Sequence, residues 1–211
     1  APTWEGEDDA NNYSSVDRYG PQIIEALLGQ PDARVVYKPH PRVITSDDAG
    51  IRKGHQAIVR AMEEAAKADP GAGHVVLVDA DMLGVIRGTD VLVADVSSVT
   101  LDFLYLRPGA PIILTDRRSN HDALRAESPL AEAAYVVDST NIDDLASELS
   151  VVTTGDHQQQ ARIAMRHHYF DDLAPGESTE RFWTELQRAM DEHDTALRAL
   201  TRARVVSEGT S

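Results

Sequence analysis

The chain has 211 residues, an apolar fraction of 42% and a formal charge of −15, from 35 acidic against 20 basic side chains. It is long enough for one large domain or two small ones with a proper core, while the acidic excess repels nucleic acid and anionic membrane surfaces, so any anion site must be local. There is no cysteine, which excludes a disulfide framework or thiolate metal site and fits a cytosolic setting; no apolar run approaches the roughly 20 residues of a membrane span, and no secretory signal opens the chain.

The opening APTWEGEDD begins without methionine and reads as polypeptide leaving a structured element, which points to a piece of something longer. A helical pattern over residues 19–28 precedes a short β-rich run, RVVY, at 34–37. Next comes YKPHPR, residues 37–42. Residues before proline are pushed to extended backbone and proline fixes its own φ, so 38–42 is expected to be stiff and extended. Alternate side chains of an extended segment share a side, which would turn Lys38, His40 and Arg42 one way. They form either a solvated basic loop or one wall of an anion site.

A second helix is predicted over 51–68, with Ile58, Met62 and Ala65 on one stripe, then strands at 74–78 (HVVLV) and 90–94 (DVLVA). The joint that follows, DVSSVTLDF, holds Asp95, Ser97 and Ser98 before a helix at 99–106. One serine would cap that helix by accepting a free backbone N–H; the pair, with the helix N-terminus, would hold a phosphate. Asp95 could orient His40 or a ligand hydroxyl, or merely favour the helix dipole. Strands at 111–114 (PIIL) and 135–137 (YVV) follow, then a helix at 142–149 capped by Thr140 or Asn141.

The strands read as continuous apolar runs, as expected of strands covered on both faces. Their alternation with helices predicts an α/β protein with a parallel, doubly wound sheet, whose ligands sit at the carboxyl ends of the strands. If the strands before His40 and Ser97 lie close, the basic loop and the twin serines form an anion cradle. From about residue 157 the chain is helical and charged, interrupted by DDLAPGES at 171–178 and resumed over 180–200, with 205–211 as a frayed tail. In PGESTER, Gly176, Ser178, Thr179 and Arg181 could supply a further phosphate or ribose contact, or Ser178 or Thr179 a plain N-cap. His167 and His168 are adjacent and point apart on a helix, and the eight histidines show no HExxH spacing, so no metal site is expected. GxGxxG, P-loop and GxSxG patterns are absent, which leaves Ser97 a binder rather than a nucleophile.

APTW, KPHP, DVLVADVSSVTLDFLYL and YFDDLAPGESTERFW, in that order and spacing, resemble the CDP-glycerol glycerophosphotransferase family of teichoic-acid polymerases and primases, over about residues 1–190. The resemblance implies a GT-B fold, of which this chain would be the C-terminal, Rossmann-like donor-binding domain (1–190), followed by a helix end and tail (191–211), with the N-terminal acceptor domain absent. It implies transfer of glycerol phosphate from CDP-glycerol, or another CDP-polyol, to a polyol-phosphate polymer acceptor, with loss of CMP, no cofactor and no obligatory metal. The general base would come from the missing domain, leaving this chain inactive alone. The intact protein would be cytoplasmic, peripheral to the inner face of the membrane. By the same resemblance His40 is the catalytic group at the donor pyrophosphate, Ser97 and Ser98 hold phosphate oxygens, and Gly176, Ser178 and Arg181 close the pyrophosphate or ribose side. This chain departs from the pattern at Lys38 and Glu5, where the family commonly has arginine, and over 115–134, which lacks the family's aromatic and acidic residues. A glycosyltransferase or epimerase using a UDP-sugar would need the same sheet and phosphate site, and a non-catalytic nucleotide-binding module would keep the cradle alone.

Overall fold

The computed structural model describes residues 1–8, 11–174 and 176–208, the last eight by backbone alone. The chain divides into two compact units, Ala1–Tyr169 and Phe170–Ser211.

Among the described residues of the first unit, five short parallel strands alternate with helices, a Rossmann-like α/β arrangement. Strand β1 (Val36–Tyr37) pairs with β2 (Val75–Val76), and β3 (Leu92–Asp95), β4 (Ile112–Thr115) and β5 (Tyr135–Val137) pair in that order. All four residues of β4, the central strand, are buried, as its unbroken apolar run demands of a strand covered on both faces.

The helices bury the stripes their spacing predicts. Helix α1 (Gly20–Leu28) sends Ile24 into one apolar cluster with Val35, Tyr37, Ile58 and Met62, and Ile23 into another with Ile113, Val137, Leu145 and Leu149. It is thus the hinge of the packing between β1 and β4. Helix α2 (Pro41–Ile44) is a single turn. Helix α3 (Ala49–Ala68) starts at Asp48, whose carboxylate accepts the Ile51 N–H at 2.9 Å. It buries Ile51, Ile58 and Met62 to 2% exposure or less, worth about 6 kcal/mol at roughly 2 kcal/mol per side chain. Gly54 lies where α3 meets Val16, and a Cβ there would stand 2.3 Å from the Val16 carbonyl oxygen.

Helix α4 (Met82–Arg87) precedes β3, and α5 (Ser98–Leu106) follows it. Beyond β4 come α6 (His121–Glu127) and a 3-10 turn (Pro129–Ala133). The helix expected at 142–149 begins as a 3-10 turn (Ile142–Asp144) and continues as α7 (Leu145–Thr154). Neither Thr140 nor Asn141 caps it: Asn141 instead accepts the Asp138 N–H and donates to the Val136 carbonyl. Helix α8 (Gln159–Phe170) ends the series.

The second unit holds one long helix, α9 (Glu177–Glu208). It runs through the first four residues of the expected tail; 209–211 lie outside the described residues. No helix among the described residues is long and apolar enough to cross a membrane.

Candidate functional site

The first three residues bridge the ends of β1 and β3. The Ala1 nitrogen donates to the Val93 carbonyl (2.8 Å), the Thr3 N–H to Asp95 Oδ2 (2.8 Å), and the Pro2 carbonyl accepts the His40 N–H (3.1 Å). This strap draws the KPHP loop to the β3–α5 joint. Between them opens a cleft of about 610 Å3, lined among others by Trp4, Lys38, His40, Ser97, Ser98 and Val99, a volume typical of small-ligand sites.

His40 is the N-cap of α2: its backbone is extended (φ −62°, ψ 141°) and Nδ1 accepts the Arg42 N–H at 3.2 Å. Proline at the first helical position suits both its fixed φ and its missing N–H. The extended segment therefore stops at His40. Arg42 does not join Lys38 and His40 on one wall. Its guanidinium lies 4.1 Å from the centre of the Trp4 ring, a cation–π contact, while the His40 ring stacks near Trp4 at 6.4 Å. Lys38 donates to the Val78 carbonyl at 3.0 Å, and an ammonium retains two further donors.

With Nδ1 committed as acceptor, neutral His40 carries its proton on Nε2 and is a donor. Burial first, then the charges of Arg42 and Lys38, push its pKa below the ordinary imidazole value.

Ser97 occupies the N-cap position of α5, yet its hydroxyl makes no capping bond. Its carbonyl accepts the Thr100 hydroxyl and N–H at 2.6 and 3.2 Å. Neither the Ser97 nor the Ser98 hydroxyl hydrogen-bonds to another described residue, and the first N–H groups of a nine-residue helix open beside them. The expected cap is thus missing and its donors are left to whatever enters the cleft. Glu7 and Asp8 also line it, so its charge is mixed.

Asp95 does not reach the cleft. Fully buried, its carboxylate accepts the Thr3 and Ser15 N–H groups and the Thr115 hydroxyl at 2.8, 3.2 and 2.5 Å. Burial holds its pKa above the usual carboxylate value despite those donors. It orients neither His40 nor a ligand; it anchors the strap. Glu5 bonds the Ser46 hydroxyl.

Gly176, Ser178, Thr179 and Arg181 belong to the second unit. Gly176 has φ +90°, the left-handed turn that glycine permits. Since α9 starts at Glu177, Ser178 and Thr179 lie within its first turn and neither is the N-cap; Arg181 donates to Glu177 at 2.7 Å along the helix.

The model of one protein family, described as CDP-glycerol:poly(glycerophosphate) glycerophosphotransferase, matches residues 1–187. The chain belongs to that family. It is therefore a transferase of the glycerophosphotransferase kind, of a family tied to teichoic-acid-like wall polymers. No curated protein and no solved structure gives a significant match.

Two features of this glycerophosphotransferase chain escaped the sequence reading. Trp4, the ring that holds both Arg42 and His40, stood there only as part of a matching motif. The carboxyl edge of β4 and β5 carries Asp116, His121 and Asp138, with ligand atoms all within 4.8 Å of one another. These three are scattered over 23 positions, in two loops and the first turn of α6, and no short spacing announces them.

Proposed function

We propose that the chain is the donor-binding half of a GT-B glycerophosphotransferase and that the Lys38–His40–Ser97–Ser98 cleft holds the diphosphate of CDP-glycerol or a related CDP-polyol. What carries the reading is that two serine hydroxyls and a helix N-terminus stand unpaired beside a lysine and an imidazole donor, in a chain of this family. The N–H groups of α5 and both hydroxyls donate to phosphate oxygens; Lys38 supplies fixed positive charge. Glu7 and Asp8 offer acceptors for polyol hydroxyls.

In the transfer an acceptor hydroxyl forms a new O–P bond at the β-phosphorus as the bond to the bridging oxygen breaks and CMP departs. Negative charge grows on that oxygen, where the Nε2–H of His40 and the α5 donors stabilise it more in the transition state than in the bound donor. The proton of the acceptor hydroxyl goes to a base outside this chain, and a facing domain supplies the acceptor site at the cytoplasmic membrane surface.

Calorimetric titration with CDP-glycerol, CMP and UDP-glucose tests the reading. Cytidine-selective binding that weakens in Ser97→Ala/Ser98→Ala is expected. Uridine preference would move the chain to the sugar transferases, and donor affinity unchanged in the double variant would refute the cleft assignment.

A further inference from the structure

The carboxyl edge of β4 and β5 closes most of its own polar groups. Asp116 accepts the Arg118 N–H at 3.1 Å and the Asn120 N–H at 2.7 Å. Asp138 Oδ1 accepts both the N–H and the hydroxyl of Thr140, at 2.7 and 2.6 Å. The Ser119 and Ser139 hydroxyls, 2.7 Å apart, tie the two loops together. One atom is left over: His121 Nε2 is enclosed and makes no hydrogen bond. It lies 3.0 Å from Asp138 Oδ2, close enough to pair with that carboxylate when the ring is protonated.

Two such atoms at that distance also suit two ligands of one metal ion. Bonds of about 2.1 Å to atoms 3.0 Å apart meet at about 90°, the octahedral angle, whereas a tetrahedral ion would hold them about 3.4 Å apart. The neighbouring arginines are paired elsewhere, Arg117 with Asp17 and Arg118 with Glu127, so among the described residues only His121 pairs with either carboxylate.

We propose that Asp116, His121 and Asp138 form a site for one octahedrally coordinating divalent cation of the first transition row, with Mn2+ as the reference ion. One imidazole nitrogen and carboxylate oxygens suit such an ion. The existing hydrogen bonds to Asp116 and Asp138 fix the ligand oxygens while leaving lone pairs for the metal, the role that outer-shell partners play in metal sites. The remaining coordination positions face solvent or an oxygen ligand. The site stands on β4 and β5 and does not depend on the donor reading.

The test is Mn2+ binding by the whole chain, followed by calorimetry and by pulsed electron paramagnetic resonance. One Mn2+ per chain with a directly coordinated 14N signal is expected. His121→Ala abolishes that signal and weakens binding at least about tenfold, while Asp143→Asn/Asp144→Asn, which removes exposed charge nearby, changes neither. Mn2+ bound without a nitrogen signal in the unaltered chain, or equally well by His121→Ala, would mean adventitious binding to an acidic surface and overturn the proposal.

Discussion

Two stretches of the same carboxyl edge handle their backbone donors in opposite ways. After β5, and after β4, carboxylates and an asparagine fold back onto local N–H groups, so the loops at 116–120 and 138–141 satisfy themselves. After β3, the serine at the cap position leaves its hydroxyl unused and the N-terminus of α5 open. A self-capped loop is stable but has few N–H donors left for an anion; an uncapped helix beside Lys38 and His40 forgoes local stabilisation, typically about 1 kcal/mol for a cap, and keeps its donors for one. Buried Asp95 is what allows this. It holds the strap that closes the cleft, so the serines do not have to.

If that division is right, the largest effect comes from Asp95. Replacing it with alanine strands two N–H groups and a hydroxyl, which at about 1–3 kcal/mol per buried unmet donor lowers stability by about 3 kcal/mol or more. Urea unfolding measures this, and a loss below about 1 kcal/mol would show that the strap is not held by Asp95. Next comes His40→Ala. Loss of a hydrogen bond to a charged group, about 1.5–3 kcal/mol, weakens CDP-glycerol binding roughly 10- to 100-fold while leaving cytidine affinity nearly unchanged; loss of the cap on α2 lowers folding stability by about 1 kcal/mol. Equal weakening of both ligands would place His40 at the base or ribose instead.

The smallest effect is on pH dependence. His40 has its pKa pushed below the ordinary imidazole value in the free chain, so at pH 7 it is neutral. A bound diphosphate favours the protonated ring, so affinity rises as pH falls through that lowered pKa. The diphosphate diester of CDP-glycerol does not itself titrate there. Calorimetry between pH 8 and 5 should show a rise confined to the acid end and absent in His40→Gln; a rise centred above pH 7 would contradict the assigned environment.

Much of this could be read from the residues. The β4 and β5 runs and the α3 stripe appear at their expected places because continuous apolar runs and helical spacing are local signals. The meeting of the KPHP loop with the twin serines was legible only as a condition, that β1 and β3 lie close; the two strands do not pair, and the strap of residues 1–3 is what joins their ends. The fate of Arg42 was not legible: a proline that rigidifies an extended segment also suits the first position of a helix, and only the contact with Trp4 decides where the guanidinium goes. Asp95 was misjudged for a similar reason. Its role depends on Thr3, Ser15 and Thr115, which are distant in the chain. The cap at Ser97 is not made although residue type and position allow it, because capping also depends on which way the hydroxyl turns, and no local pattern fixes that. His121 was missed because Asp116 and Asp138 are brought to it by the ends of two strands rather than by spacing.

The most direct test of the division is to map where the donor lands, by following backbone amide resonances of the labelled chain as CDP-glycerol is added. The account predicts that His40, Ser97, Ser98 and Val99 shift in proportion to occupancy, while Arg118, Asn120 and Thr140, already hydrogen-bonded to Asp116 and Asp138, stay in place. Shifts concentrated at those last three, with Ser97 to Val99 unmoved, would put the donor on the self-capped loops and contradict it.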